Sequence, residues 1–248
     1  MKNKIKKILI LLFIVICFVG VVYYFYKVFI WNKSLNDNSS IKSEIDELVI
    51  IEEDEESNNK FNIDFESLKK KNNDTVAYIK VNNTKIDYVV VKGKDNDYYL
   101  HHNFNKKWNV AGWVFADYHN KFDESDKNIV IYGHNMKNGS MFGTLKTILN
   151  KKWYKNKKNN IVNLVTENGE YSYQVFSIYS IDSEDYYINT KFKDNNEFNK
   201  FVKKIKSRSI YDYKVNISGE DKILTLSSCI GTKGKRVVLH AKLIEEKE

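Results

Sequence analysis

Three side chains in this sequence have the types that thiol-based acyl transfer requires, and the first is Cys229. It follows the strand-like run 223–228 and opens onto the flexible loop Gly231-Thr232-Lys233-Gly234. A free cysteine is most often a small buried apolar residue. A thiol between a strand end and a loop is, however, well placed to face a groove, so we take Cys229 as a candidate nucleophile.

A thiol nucleophile needs an acid–base partner, which is usually a histidine. His134 follows the apolar run Ile129-Val130-Ile131-Tyr132 and precedes a polar loop, so we expect it at a strand end, like Cys229. His240 lies within the last predicted strand, where we expect a packed side chain. The remaining histidines are expected at surface or supporting positions: His101, His102 and His119.

Acyl transfer also needs hydrogen-bond donors where the oxyanion forms, and Arg236 is the candidate donor. It begins the strand that follows the Cys229 loop, and it returns beside Cys229 if the two strands are neighbours. A guanidinium donates two hydrogen bonds and stays charged in a partly dry groove. The chain has 40 basic residues, and only Arg208 and Arg236 are arginines. The alternative is an ordinary surface arginine.

Composition argues against several other functions. The net charge of +8 suits an anionic membrane or cell wall, whereas the scarcity of arginine weakens a nucleic-acid role. The two cysteines, Cys17 and Cys229, are too few for a disulfide framework. The sequence has no His-x-x-x-His motif, no paired cysteines, no phosphate loop and no Gly-x-Ser-x-Gly elbow. We therefore expect no metal and no cofactor.

The N-terminus has the pattern of a membrane anchor. Four lysines within residues 2–7 precede an uninterrupted apolar run over 8–26, and about 20 apolar residues span a bilayer. Tyr23, Tyr24, Tyr26 and Trp31 suit the far membrane interface. We predict a transmembrane signal anchor in residues 1–31, with the N-terminus inside and the rest outside the cell. A cleaved signal peptide is the alternative.

Residues 32–60 are polar and acidic, and we expect a linker that is either disordered or a partly helical stalk. The folded domain is predicted over 61–248, beginning with a short helix capped by Asp64. Period-two patterns predict strands at 76–81, 85–91, 112–116, 128–132, 161–166, 170–181, 222–228 and 236–244, and helical patterns cover 141–149 and 196–207. This is a mainly β (α+β) domain with helical insertions, and many short strands indicate a barrel.

Several segments together resemble a known family. Thr225-Leu226-Ser227-Ser228-Cys229 followed by Arg236-Val237-Val238 resembles the Thr-Leu-x-Thr-Cys…Arg signature of sortases. The class B sortases in particular are matched by Ile131-Tyr132-Gly133-His134-Asn135-Met136, Ser140-Met141-Phe142, Ile86-Asp87-Tyr88-Val89-Val90, Asn96-Asp97-Tyr98-Tyr99-Leu100 and Phe115-Ala116-Asp117. The resemblance covers about residues 61 to 246. Ile230 departs from it, since class B members often have an acid there, and its presence predicts a lower Cys229 pKa than in relatives.

The resemblance implies an eight-stranded sortase-type β-barrel and a cysteine transpeptidase of the EC 3.4.22 class. Cys229 would attack the Thr carbonyl of a C-terminal sorting motif and form a thioacyl enzyme. His134 would move the protons and Arg236 would hold the oxyanion. Substrate contacts are implied at Asn96, Leu100, Tyr132, Ser183, Tyr187, Ile188 and Ser227.

The implied partners are surface proteins with a sorting motif and a lipid-linked peptidoglycan precursor that supplies the accepting amine, and we expect a monomer on a Gram-positive cell membrane. The motif stays open between an Asn-Pro-x-Thr and a Pro-x-Thr-Gly type. Two alternatives are a pilin-polymerising sortase, which usually has a lid segment and often a C-terminal membrane helix, and a catalytically silent wall-binding module. A papain-like hydrolase fits less well, because those enzymes place the Cys before the His.

Overall fold

The structure is a computed structural model that describes residues 2–53, 59–123, 125–182, 184–229 and 235–247. Its helices are α1 (Lys2–Asp46), α2 (Phe65–Lys71), α3 (Lys151–Lys155) and α4 (Asn195–Ser207). Its strands are β1 (Val49–Glu53), β2 (Asn59–Ile63), β3 (Thr75–Val81), β4 (Asp87–Val91), β5 (Phe115–Ala116), β6 (Asn128–His134), β7 (Ile161–Thr166), β8 (Gly169–Ile181), β9 (Ile223–Cys229) and β10 (Arg236–Lys247). Short 3₁₀ turns cover Tyr98–Leu100, Leu145–Leu149, Lys157–Asn160 and Tyr186–Ile188.

In the part of the chain that the structure describes, eight strands close into a barrel in the order β10-β8-β7-β3-β4-β5-β6-β9. This confirms the predicted eight-stranded barrel with helical insertions. Pairing is antiparallel except between β4 and β5 and between β6 and β9, which are parallel. The barrel closes where β9 lies between β6 and β10. Nearly all residues of β6 and β9 are buried, as expected for strands in the interior of a closed sheet that is covered on both faces.

The predicted segments agree with the structure except at two places where the backbone turns. The strand expected over 112–116 is reduced to β5, because Gly112 adopts a left-handed φ of +55° at the end of the turn that begins at Asn109. The helix expected over 141–149 begins only at Leu145, because Met141 has a φ of +51° that a right-handed helix does not allow. The apolar side chains predicted for one face, Met141, Leu145 and Ile148, are nevertheless buried together.

Helix α1 runs without a break from the apolar segment into the polar segment. For residues 32–60, the sequence left a disordered linker and a partly helical stalk as alternatives. The structure shows a helix as far as Asp46, followed by the β1–β2 hairpin. Ser34, Asn38, Ile41 and Ile45 are buried against the barrel. The stretch expected to be a linker is therefore packed, and packing begins before the domain boundary expected at residue 61.

A chain of buried hydrogen bonds links four barrel strands through His240, which is completely buried as predicted. The Thr225 hydroxyl donates to Asn128 Oδ1 at 2.7 Å, so it accepts from His240 Nδ1 at 2.8 Å. His240 Nε2 then accepts from the Tyr179 hydroxyl at 2.9 Å. Burial lowers the pKa of His240 to about 3. The imidazole is therefore neutral in the folded protein at physiological pH.

We predict that His240 makes the fold acid-sensitive. In the unfolded chain the imidazole binds a proton below its ordinary pKa of 6.5, whereas the folded state does not until about pH 3. Stability is therefore full above pH 6.5, and His240 lowers it by about 1.4 kcal/mol per pH unit between 6.5 and 3. Denaturant unfolding of the full chain in detergent at pH 7 and pH 5 measures this loss.

His240→Gln is the comparison for that measurement. The variant keeps polar groups in the cavity but cannot titrate, so its stability should fall less steeply with acid than that of the unmodified chain. An identical pH slope in the two proteins would contradict the assignment to His240.

Candidate active site

The barrel closure aligns the three candidate catalytic residues at one end of three neighbouring strands. The β6–β9 register pairs His134 directly with Cys229. On the other side, β10 pairs with β9 as far as Val238 and Ser227, and Arg236 is the first residue of β10, two positions before that pair. Strand β9, which ends at Cys229, therefore lies between the strands that carry His134 and Arg236. Residues separated by about a hundred positions in sequence meet because β6 and β9 are adjacent.

The His134 ring is held by a backbone carbonyl. Its Nε2 lies 2.9 Å from the carbonyl oxygen of Leu100, and because a carbonyl only accepts, Nε2 carries the hydrogen. In the neutral ring the lone pair is therefore on Nδ1. The pKa of His134 lies below its ordinary value, mainly because the ring is largely buried, while the carbonyl opposes the shift and His101 adds to it.

Gly112 allows the Leu100 carbonyl to occupy this position. A Cβ on Gly112 would collide with the carbonyl oxygens of Tyr99 and Leu100, and φ at this position is +55°. Trp113 N donates to the Tyr99 carbonyl at 3.0 Å from the same turn. The turn thus packs directly behind the carbonyl that orients His134.

The Arg236 guanidinium is held from one side by a second set of groups. Its Nη1 donates to the carbonyl oxygen of Glu184 at 3.2 Å and to the Tyr187 hydroxyl at 3.3 Å. The Tyr187 hydroxyl also lies 2.9 Å from Ser227 Oγ. A half-buried guanidinium fixed in this way stays charged and presents its donors in one direction.

A groove of about 170 Å³ opens beside Arg236. It is lined by Asn96, Leu100, Phe115, Tyr132, Ile188, Ser227 and Arg236. Of the lining residues that the structure describes, Arg236 alone carries a formal charge. Such a groove, apolar with a few converging polar groups, suits an uncharged peptide segment whose carbonyl reaches the guanidinium.

Buried Asp117 holds two of the groove side chains. Its Oδ2 accepts from Asn96 Nδ2 at 2.7 Å and from the Tyr132 hydroxyl at 2.8 Å. Its Oδ1 accepts from the backbone and the ring of His119. Asn96 Oδ1 in turn accepts from Tyr118 N at 3.0 Å. The amide of Asn96 is thereby fixed, and its nitrogen has a second hydrogen that a bound peptide carbonyl can accept.

Most, but not all, of the residues expected to contact substrate line the groove. Asn96, Leu100, Tyr132, Ile188 and Ser227 do. Tyr187 does not, because it is completely buried, and it acts instead through Arg236 and Ser227. Ser183, Ile230 and the loop 231–234 lie outside the described residues, and for Cys229 only the backbone is described.

Two residues at this site were not among the predicted contacts. Phe115 lines the groove and packs on Tyr132 with ring centroids 5.2 Å apart. Asp117 lies beneath it with its carboxylate fully engaged. Both belong to the segment Phe115-Ala116-Asp117 that already carried part of the family resemblance, and an acid directly after a buried strand was the available signal.

Comparisons with known proteins identify the same family by two routes, a family model and an individual relative. The family model described as "Sortase domain" matches residues 79–244. Sortase B of Listeria monocytogenes is 40% identical over 159 residues, which are 61% of this chain and 62% of that protein. The matched stretch is thus less than two thirds of this relative's length.

Solved structures extend the similarity to the fold. Sortase B from Bacillus anthracis has a TM-score of 0.75 and 31% identity, covering 86% of this chain and 99% of that one. A Staphylococcus aureus sortase B–substrate complex has a TM-score of 0.68 and 34% identity, covering 73% of this chain and 84% of that one.

We predict that His134 titrates below pH 6.5 in the folded chain, since burial disfavours the imidazolium. His101→Gln should raise the midpoint, because it removes a nearby positive charge at low pH, and His119→Gln is the matched control that should leave it unchanged. Imidazole ¹⁵N NMR of the full chain across pH 4–9 measures these midpoints. A His134 midpoint at or above 6.5 would refute the prediction.

Proposed function

This chain belongs to the sortase family, class B, and from that premise we propose that it is a cysteine transpeptidase of the outer cell surface. It would cleave a C-terminal sorting motif after Thr and transfer the surface protein to the amine of a cell-wall peptidoglycan precursor. The observation that carries the proposal is the β6–β9 register that pairs Cys229 with His134, with Arg236 at the start of the neighbouring strand β10.

The first half of the reaction forms a thioester. The sulfur of Cys229 attacks the carbonyl carbon of the Thr residue, and its thiol proton passes to Nδ1 of His134, the nitrogen with the lone pair. The carbonyl oxygen becomes an oxyanion that Arg236 stabilises. When the intermediate collapses, the C–N bond breaks, and the leaving amine takes the proton back from His134.

The second half reverses these roles with a new amine. The acceptor amine attacks the thioester carbon and loses a proton to neutral His134. The C–S bond then breaks, and the thiolate regains the proton. A depressed His134 pKa suits this sequence, because the ring starts each half-reaction as a base and becomes an acid only after it has taken a proton.

The groove supplies the binding that makes the reaction selective. Asn96 and Tyr132 offer polar contacts to the motif backbone, and Leu100, Phe115 and Ile188 offer apolar ones. Ser183 and Tyr187 are proposed as further contributors, Tyr187 through Arg236. The Staphylococcus aureus sortase B–substrate complex shows that a related protein of this fold binds its substrate. No cofactor is required for any step.

The proposed location is the cell membrane, with α1 as its anchor. Helix α1 is 45 residues long and contains a stretch that is long and apolar enough to cross a membrane. The lysines before this stretch favour an N-terminus inside the cell. The barrel would then lie outside, where both the surface protein and the lipid-linked precursor are available. We propose that it acts as a monomer.

The direct test uses the full chain in detergent with peptides of the Asn-Pro-x-Thr and Pro-x-Thr-Gly types. Hydroxylamine serves as a small amine acceptor, and mass spectrometry follows the products. We expect cleavage after Thr, a hydroxamate product and an acyl adduct on Cys229. Cys229→Ala should abolish all three. His134→Gln should reduce the rate by about 10²–10⁴-fold.

Two arginine-to-lysine variants test the role of Arg236, one at the site itself and one at a control position. Arg236→Lys keeps the charge but loses the two-pronged donor geometry, so we expect a loss of about 10²–10³-fold. Arg208→Lys changes the surface arginine that contacts Glu184 and should leave the rate unchanged. A folded sample with no adduct and no cleavage with any peptide would favour a silent wall-binding module instead.

We further predict that Asp117→Asn lowers activity, although Asp117 does not contact the reacting atoms. An amide at this position cannot accept from all the groups that the carboxylate serves, and an unsatisfied buried donor costs about 1–3 kcal/mol. Asn96 and Tyr132 should lose their fixed positions, which raises KM more than it lowers kcat. We expect kcat/KM for the peptide to fall about tenfold or more.

Asp126→Asn is the control for that variant. Asp126 is also buried, and its carboxylate accepts from Lys121 N and Phe122 N in the loop before β6, away from the groove. It should lower stability with little change in KM. Equal KM changes in the two variants would mean that Asp117 acts only on stability.

A further inference from the structure

The loop 101–109, here called the Trp108 loop, touches α1 where the helix leaves its apolar stretch. Asn109 Nδ2 donates to the Ser34 carbonyl at 2.9 Å and to Asn38 Oδ1 at 3.0 Å. Asn38 Nδ2 donates to the Gly112 carbonyl at 2.9 Å. Ser34, Asn38 and Asn109 are all buried. The loop is therefore fixed to the helix by buried polar contacts.

These contacts set the height of the loop relative to a membrane. Ser34 is three residues beyond Trp31, a rise of about 4.5 Å along the helix, and Trp31 suits the outer interface. The chain from Asn109 to Gly112 follows the helix from Ser34 towards Asn38, away from the apolar stretch. Trp108 directly precedes Asn109, so it lies near the level at which α1 leaves its apolar stretch.

Trp108 has an exposure that packing within the protein does not explain. Its side chain is 60% exposed. Beyond α1, the large apolar side chains exposed in the described part of the chain are Ile50, Trp108, Tyr118, Ile210 and Ile244, and Trp108 is the most exposed of them. Tryptophan is the residue that most favours the membrane–water interface, because its ring is apolar and its N–H is polar.

Two lysines directly precede this tryptophan on the same loop. Lys106 lies 3.0 Å from Asp74 and also donates to Asn73, which ties its ammonium to the barrel. Lys107 is exposed, as is Lys33 on the adjoining turn of α1. A tryptophan next to lysines at the level of the helix exit complements a leaflet of anionic headgroups.

We propose that the Trp108 loop is a second membrane contact, in which Trp108 enters the outer interface and Lys107 meets anionic lipid phosphates. The proposal rests on the membrane anchorage in the proposed function and extends it. With α1 alone, the helix and the barrel packed on it could tilt together in the bilayer. A second contact restricts this tilt.

The consequence concerns the active site. The helix binds the Gly112 carbonyl, Gly112 packs against the Leu100 carbonyl, and that carbonyl holds His134. The catalytic end of the barrel is therefore the end nearest the helix exit. A fixed tilt keeps the groove close to the leaflet that holds a lipid-linked amine.

The test uses the full chain with 5-fluorotryptophan in nanodiscs that contain phosphatidylglycerol and a lipid with a nitroxide on its headgroup. The four tryptophans give separate ¹⁹F signals, assigned by Trp→Phe variants such as Trp108→Phe. We expect Trp108 to be broadened almost as strongly as Trp31, and buried Trp153 much less. Broadening of Trp108 no greater than that of Trp153, with Trp31 strongly broadened, would overturn the proposal.

The Trp31 signal separates a failure of the loop contact from a failure of the membrane anchorage. If Trp31 itself is not broadened, the helix is not in the bilayer, and the anchorage falls together with the loop contact. Phosphatidylcholine nanodiscs and Lys107→Glu test the role of charge, and each should reduce the Trp108 broadening roughly by half.

Lys121→Glu is the matched control, because Lys121 is an exposed lysine on the loop before β6, at the opposite end of that strand from His134. It should leave the broadening unchanged. An unchanged signal in Lys107→Glu, or an equal reduction in Lys121→Glu, would overturn the headgroup contact.

Discussion

The parallel pairing of β6 with β9 is the constraint on which the rest of the structure depends. It joins strands that are about a hundred residues apart, so its entropic cost must be met by the elements between them, β7, β8 and α4, which form the crossover. The pairing closes the barrel, and it also pairs His134 with Cys229. The buried chain from Asn128 through Thr225 to His240 fixes the same strands below the site. The same strand pairing therefore both closes the barrel and brings the candidate site together.

The groups that orient the site are mostly not the reacting ones. A backbone carbonyl holds His134, a second carbonyl and a buried hydroxyl hold Arg236, and the Asp117 carboxylate holds two groove side chains. Each partner is itself fixed by barrel packing. Preorganisation of this kind matters for acyl transfer because charge develops on the oxyanion faster than loose donors could reorient. The barrel thus serves the chemistry by its rigidity.

Helix α1 combines two environments in one element. Its first part is apolar on all sides and exposed, as a lipid-facing helix is, whereas its last part buries Ser34, Asn38, Ile41 and Ile45 on the barrel. Because the helix does not break between them, the orientation of the barrel follows from the orientation of the helix. The buried Asn38 amide is the polar contact that joins this element to the turn behind the active site.

The sequence by itself determined most of the strand and helix pattern and the apolar N-terminal segment, and it predicted Cys229, His134 and Arg236 as the catalytic residues, because these depend on residue type and on local periodicity. It also carried the resemblance from which most groove residues followed. Local pattern failed at Gly112 and Met141, where left-handed backbone delays the start of the expected element. It left the polar segment after residue 32 open between a disordered linker and a partly helical stalk, because the burial of that segment depends on a partner surface. Only the tertiary structure decided that Tyr187 lies behind the groove, that Asp117 lies beneath it and that the Leu100 carbonyl selects the His134 tautomer. These are contacts between distant segments, and their geometry exists only once the barrel has closed.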